Sequence, residues 1–122
     1  MTRDELHDYL GNKFKAVKDF PFGPKPCVYK VSGKVFAIVF EEKDSWRLNL
    51  KSPPEEAIQL RDVFTSVTAG YHMNKRHWNT LLFPGDVPTS EVERQIDVSY
   101  ELVVNGLSKS MKRLLGIDLN TQ

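Results

Sequence analysis

The sequence has a single cysteine, Cys27, among its 122 residues. One cysteine excludes an internal disulfide and any metal centre built on several thiolates of the same chain. We predict that Cys27 is a small buried apolar side chain, because a catalytic thiolate needs a partner that lowers its pKa. The sequence also has no glycine-rich phosphate loop, no nucleophile elbow and no His-Glu-x-x-His motif. These absences favour a non-enzymatic binding domain without a cofactor.

Long apolar segments are absent as well. The longest uninterrupted apolar run, Val35–Phe40, is far shorter than the ~20 residues needed to span a bilayer. The first residues, Met1–Glu5, lead into no apolar core of the kind found in a signal peptide. We therefore predict a cytoplasmic protein without a membrane partner.

Charge of one sign is not in excess. Seventeen Lys and Arg residues oppose sixteen Asp and Glu residues, which gives a formal charge of +1. A nucleic-acid partner would therefore have to bind a local basic patch. The remaining composition, 40% apolar and 27% charged over 122 residues, is that of one globular domain, residues 1–122.

The first part of the chain combines a helix with an extended connector. Thr2 and Glu5 have the spacing of a helix-capping box. Residues 20–26 contain three prolines, which lack amide donors and fix φ, so this segment is predicted to be extended. The predicted helix continues to Val17 because its apolar residues recur at helical spacing: Leu6, Tyr9, Leu10, Phe14 and Val17.

Three strands follow as an antiparallel meander. The predicted strands are Cys27–Val31, Lys34–Glu41 and Trp46–Lys51, joined by short polar turns. The third strand alternates apolar and polar residues, which predicts a sheet covered on a single face. The second is apolar on both sides, so we place it in the centre of the sheet.

The next segment is predicted to hold a helix and two strands. Ser52 and Glu55 indicate a capped helix start, and residues 65–70 end this helix. A short strand at 71–73, a polar turn at 74–76 and a strand at 77–83 complete the sheet.

A last helix begins near Thr89 or Ser90 and runs to Asn105, with Gly106 as its stop. In this helix Ser99 is predicted to face the core as a packing residue rather than act as a nucleophile. The order α-β-β-β-α-β-β-α predicts an α+β domain with two layers, an antiparallel sheet with helices on one face.

The run from Tyr71 to Trp78 has the highest density of chemically active side chains in the sequence. Lys75 and Arg76, at the tip of the second hairpin, are placed as phosphate contacts require, and aromatic residues of the run offer a stacking surface for a base. In the alternative interpretation, the aromatic residues belong to the core and their polar neighbours simply face water. Two histidines without a nearby carboxylate or thiol make a poor zinc site, so we predict no metal.

Lysine is concentrated between residues 12 and 34, where six lysines stand against Asp19 alone. These lysines either form a basic face or are ordinary solvated residues. Glu41, Glu42 and Asp44 are expected at the opposite end of the meander from Lys34. The candidate nucleic-acid-binding residues are Lys30, Lys34, His72, Asn74, Lys75, Arg76, His77 and Trp78.

Several segments, taken in order along nearly the whole chain, resemble the MmcQ/YjbR-like family of small bacterial proteins. This resemblance implies a helix-flanked antiparallel sheet of the double-wing type, which is often regarded as a predicted DNA-binding domain. It carries over no catalytic residue and no cofactor. The segments are Gly33-Lys34-Val35-Phe36-Ala37, Leu48-Asn49-Leu50-Lys51, Pro54-Glu55 with Leu60-Arg61, Tyr71-His72-Met73-Asn74-Lys75-Arg76-His77-Trp78, and Ser99-Tyr100 with Leu102-Val103.

Three functions follow as expectations, since a fold by itself does not fix function. The first is binding of DNA or another nucleic acid through a basic surface. The second is a protein-interaction module that uses a free sheet face containing Phe36, Ile38 and Phe40. The third is an enzyme for a small anionic metabolite, which needs a pocket holding a histidine of the 71–78 run beside its cations. We expect a monomer or a weak homodimer.

Overall fold

A computed structural model describes residues 1–116 of the chain. The predicted α+β architecture is confirmed, and the predicted elements occur in the predicted order, with an additional first strand and a short final helix. The elements are α1 (Arg3–Gly11), β1 (Ala16–Asp19), β2 (Cys27–Val31), β3 (Lys34–Glu41), β4 (Trp46–Lys51), α2 (Pro54–Val63), β5 (Val67–Ala69), β6 (Trp78–Phe83), α3 (Thr89–Asn105) and α4 (Lys109–Leu114).

The six strands form one sheet in the order β1-β2-β3-β4-β6-β5, and every neighbouring pair is antiparallel. The bounds of β2, β3 and β4 are the predicted ones, and β3 lies in the interior of the sheet as expected. Within residues 1–116, no helix is long and apolar enough to cross a bilayer.

The three longer helices pack on one face of the sheet. From α1, His7 contacts Tyr29 of β2, and in α2 the carbonyl oxygen of Ala57 accepts a hydrogen bond from Asn79 of β6. Helix α3 has the predicted bounds and buries one apolar stripe against β3 and β4. The core between these layers includes Leu6, Leu10, Tyr29, Phe36, Val39, Leu48, Leu50, Leu81, Val92 and Ile96. Cys27 is only 6% exposed, so its predicted burial is confirmed.

Helix α3 is fastened to the sheet by a buried hydroxyl at a β-bulge. The pairing of β2 with β3 shifts between Tyr29 and Lys30, which leaves Phe36 as the extra residue. The Oγ of Ser99 donates to the carbonyl oxygen of Phe36 at 2.6 Å and accepts from the amide of Lys51 at 2.8 Å. Ser99 is fully buried and both of its partners are backbone groups, so it has the structural role that was predicted.

Replacing this hydroxyl tests the role directly. Ser99→Ala leaves one buried carbonyl and one buried amide without a partner, so we expect the free energy of unfolding to fall by about 1–3 kcal/mol. Urea unfolding measures the change. Ser110→Ala, at an exposed position in α4, is the matched control and should change stability by less than about 0.5 kcal/mol. Equal stability of the two variants would contradict the assignment.

The opposite face of the sheet is not free, so the prediction of a sheet covered on a single face is wrong. Val28, Asn49 and Thr80 point away from the helices, yet each is at most 1% exposed. The β5–β6 loop, residues 70–77, lies across this face. Its backbone at Tyr71 accepts a hydrogen bond from Asn49 Nδ2 at 2.8 Å and donates one to Thr80 Oγ1 at 2.7 Å.

The first helix is shorter than predicted. It ends at Gly11, with Asn12 as its C-cap, and Lys15 adopts a positive φ of 59° that redirects the chain into β1. Phe14 and Val17 are therefore 56% and 60% exposed instead of extending the buried stripe. Helical spacing was misleading here because the two apolar residues belong to a turn and to an edge strand.

The segment between β4 and β6 also differs from expectation. Ser52 is buried and does not cap α2; the helix starts at Pro54 without a side-chain cap. Residues 67–69 form β5 instead of ending α2. Residues 71–73 are not a strand, because the side chains of Asn49 and Thr80 take the backbone hydrogen bonds of Tyr71 and His72 has a φ of 58°.

Candidate nucleic-acid interface

The antiparallel register collects cations at one end of the sheet. Lys34 begins β3, Lys51 ends β4, and Lys15 immediately precedes β1 at the same end. Lys75 and Arg76 lie in the β5–β6 loop just before β6, which starts opposite Lys51. We refer to these five residues, Lys15, Lys34, Lys51, Lys75 and Arg76, as the basic end.

These cations are not neutralised by neighbouring carboxylates. Among residues 1–116, the ion pairs closer than 4.0 Å involve other side chains, and none includes a residue of the basic end. The acidic residues Glu41, Glu42 and Asp44 lie at the far end of β3, with Asp19 at the same end of β1. The predicted separation of these acids from Lys34 is confirmed, and we call this far end the acidic end.

A groove at the basic end combines cations with an aromatic surface. Lys34, Lys51 and Trp78 line it, and the end of α3 supplies its apolar wall through Leu102 and Val103. Its volume is about 380 Å³. Trp78 is half-buried and is the backbone partner of Lys51 across β4 and β6, so the two residues line the groove side by side.

A second groove is lined by Arg76, which lies two residues before Trp78 in the chain. Arg61 and Ile58 of α2 also line it, and its volume is about 280 Å³. Glu55 is the one acidic side chain in its lining. Both guanidinium groups are therefore available to a ligand that follows the loop from Arg76 toward Trp78.

Local hydrogen bonds hold the loop that carries these residues. Lys75 Nζ donates to the carbonyl oxygen of Gly70 at 3.1 Å, and the side chain of Asn74 accepts from the amide of Arg76 at 2.9 Å. The carbonyl oxygen of His77 accepts from the amide of Ser52 at 2.9 Å. A Cβ on Gly70 would lie 2.7 Å from the Cβ of Trp78, so only glycine fits this approach. Asn74, His77 and the Lys75 ammonium thus position the loop, and the side chains of Lys75 and Arg76 are exposed.

Two of the predicted site residues lie elsewhere. Lys30 forms an ion pair with Asp19 at 2.9 Å, and this hydrogen bond lowers the pKa of the Asp19 carboxyl. His72 packs on the ring of Tyr71 and lines an apolar cavity with Ile38 and Phe40 on the face away from the helices. Neither residue contributes to the grooves at the basic end.

Sequence reasoning missed Lys51, Lys15 and Arg61 as candidate site residues. Lys51 was recognised only as a polar position of an alternating strand. Its place beside Trp78 follows from the pairing of β4 with β6, two strands separated in the chain by α2 and β5. Only a prediction of that long-range pairing would have revealed it.

Comparison with known proteins agrees with this fold and identifies the family. The sequence profile named YjbR matches residues 12–102. The chain belongs to the YjbR family. YjbR of Escherichia coli strain K12 is 34% identical over 115 residues, covering 94% of this chain and 98% of that protein. YbdF of Escherichia coli O157:H7 is 38% identical over 91 residues, covering 74% of each chain. Both proteins are named as uncharacterized.

Solved structures of related proteins share the architecture of this YjbR-family chain. The crystal structure of the Deinococcus radiodurans protein DR2400, described as a DUF419 domain, matches with a TM-score of 0.88 and 32% identity, over 96% of this chain and 89% of that one. A crystal structure from Pseudomonas syringae matches with a TM-score of 0.75 and 28% identity, over 84% and 99% of the two chains. The family and the fold are thereby shown, and the names describe no activity.

The attachment of the β5–β6 loop to the sheet makes a testable prediction. Asn49→Ala removes the donor to Tyr71 and the acceptor of Thr80, so we expect the free energy of unfolding to fall by about 1–3 kcal/mol. The Tyr71 amide should also exchange faster with deuterium, because the loop loses one of its anchors. Asn105→Ala, at the exposed end of α3, is the control. Unchanged exchange at Tyr71 would show that Asn49 does not hold the loop.

Proposed function

We propose that this YjbR-family protein is a non-enzymatic domain that binds nucleic acid along its basic end. One observation carries the proposal: a groove that contains a half-buried tryptophan is lined by Lys34 and Lys51, and all five cations of the basic end lack a carboxylate partner among residues 1–116. Phosphate contacts supply most of the affinity for nucleic acid, and an accessible aromatic ring adds base stacking. Lys34 and Lys51 would contact phosphates on either side of a base stacked on Trp78.

The shape of the groove favours a single strand of DNA or RNA over a duplex. Trp78 lies in a concavity between the start of β6 and the end of α3 rather than on a projecting helix or ribbon. A base must leave its helix to reach such a ring, and single-stranded binders use this arrangement of cationic walls and stacking surfaces. A cytoplasmic location, where both nucleic acids occur, is part of the proposal.

The protein-interaction alternative has less support. Phe36 is fully buried on the helix side because of the β-bulge, so it does not share a face with Ile38 and Phe40. Ile38 is 8% exposed, and Phe40 packs edge-to-face against Tyr71 of the β5–β6 loop with ring centroids 5.4 Å apart. The expected exposed patch of these three residues is not formed.

The alternative of an enzyme for a small anionic metabolite also has less support. It required a pocket in which a histidine of the 71–78 run stands beside Lys75 or Arg76. The cavity lined by His72 is otherwise formed by apolar side chains, and neither cation contributes to it. His77 is half-buried and contributes its backbone to the connection with Ser52.

Removing two cations from the basic end tests the electrostatic part of the proposal. Lys75→Gln/Arg76→Gln should weaken binding of a labelled oligothymidine by roughly tenfold or more at about 0.1 M salt, because two phosphate contacts are lost. The slope of log K against log salt should become less steep by about 1.4, at ~0.7 per phosphate of a single strand. Fluorescence anisotropy over a decade of salt concentration measures both quantities.

The control for this experiment is Lys43→Glu. It changes the net charge by the same two units, but Lys43 is exposed in the β3–β4 turn at the acidic end. We expect its affinity and its salt slope to stay close to those of the wild type. If both variants lost the same affinity, binding would depend on net charge alone and the basic end would not be the site. Salt-insensitive binding by the wild type would also overturn the proposal.

Trp78→Leu tests the stacking part independently. Leucine keeps an apolar side chain at this position but cannot stack on a base, so single-strand binding should weaken by about 1–3 kcal/mol while the salt slope stays unchanged. Tyr71→Leu is the control, since Tyr71 packs against Phe40 and lines neither groove of the basic end. Affinity for a duplex of the same length should change little in either variant. A Trp78→Leu protein that binds single strands normally would exclude the groove as the base site.

A further inference from the structure

We propose that a second site at the acidic end, a cavity between α1 and the β1–β2 loop, binds a small organic anion, a carboxylate or phosphate monoester on an apolar body. The cavity has a volume of about 220 Å³. It does not depend on the nucleic-acid proposal, because it shares no residue with the basic end. Its lining comes from α1, β1, the β1–β2 loop, β2 and β3.

A fixed histidine forms the polar wall of this cavity. His7 Nε2 lies 2.6 Å from Glu41 Oε1, and His7 Nδ1 lies 2.6 Å from the hydroxyl of Tyr29. Both ring nitrogens are therefore engaged, so the imidazole is held in one orientation by groups from β2 and β3. The hydrogen bond also occupies one oxygen of Glu41, which reduces the repulsion between this carboxylate and an anionic ligand.

Two lysines supply the charge that an anion needs. Lys18 and Lys25 are exposed, and neither forms an ion pair in the part of the chain that the structure describes. Lys18 Nζ lies 6.0 Å from the ring centroid of Tyr29 and 5.8 Å from that of Phe20, so its ammonium group is turned toward the cavity. Carboxylates and phosphates are the groups that pair with such donors.

The rest of the lining is apolar and limits the size of the ligand. Phe20, Pro24 and Val39 provide carbon surface for the body of the ligand. The volume lies below the ~300–1,000 Å³ of pockets for drug-sized ligands, so the ligand is a small metabolite. Cys27 adds a neutral thiol to this lining, because burial raises the pKa of its thiol and keeps it protonated.

Titration of the full chain with phenyl phosphate and benzoate, followed by amide chemical shifts, tests the site. We expect saturable shifts at millimolar concentrations for the amides of His7, Cys27 and Glu41, and weaker binding of inorganic phosphate, which has no apolar body. Lys18→Gln/Lys25→Gln should bind at least tenfold more weakly. Both positions are exposed, so this variant should fold, and its thermal unfolding confirms that.

The matched control is Lys109→Glu, which changes the net charge by the same two units at an exposed position of α4. It should bind phenyl phosphate like the wild type. The inference is overturned if neither organic anion gives saturable shifts, if the shifts fall at the basic end, if inorganic phosphate binds as tightly as phenyl phosphate, or if the lysine variant binds normally. None of these results depends on whether oligonucleotides bind, so this inference and the proposed function fail separately.

Discussion

The antiparallel register of the sheet is the constraint on which the surface of this protein depends. Each strand reverses direction, so residues far apart in the chain meet at the same end of the sheet. Lys34 at the start of β3 and Lys51 at the end of β4 are brought together in this way, while Glu41 is carried to the far end. A shift of register would displace these charges along the strands and turn their side chains to the other face. A chain with a formal charge of +1 thereby acquires one basic end and one acidic end.

A second requirement is that both faces of the central strands be covered. Helices cover one face, and the β5–β6 loop covers part of the other through Asn49 and Thr80, which are buried and hydrogen-bonded to each other at 2.6 Å. A buried amide stays satisfied only if the loop remains in place, because an unpaired polar group in the interior is costly. The same attachment of the loop to the sheet sets the position of Lys75 and Arg76. The stability of the sheet and the position of these cations therefore have a common cause.

Local signals were sufficient to predict much of this fold. The bounds of β2, β3, β4 and α3 followed from alternation, turn residues and caps that lie within a few positions of each other. β1 and the loop conformation were missed, and the short strand β5 was predicted at residues 71–73 instead of 67–69, because these features depend on distant partners. Tyr71 is kept out of a strand by side chains of β4 and β6, and Lys51 joins the groove through a strand pairing that the sequence does not reveal. For the candidate site, the density of polar side chains in the 71–78 run identified the loop cations, whereas the groove around Trp78 could be recognised only in the tertiary structure.

Under the two proposals, the separation of charge would let one small domain present two anion-binding surfaces without competition between them. A polyanion would bind at the basic end, where several cations without a carboxylate partner among residues 1–116 act together. A single small anion would need only two cations at short range, because salt screens exposed acidic residues that lie beyond about 10 Å. In the cavity these cations would be Lys18 and Lys25, and the carboxylate of Glu41 is already hydrogen-bonded to His7. The two ends would then select ligands by the number of charges that a ligand can present at once.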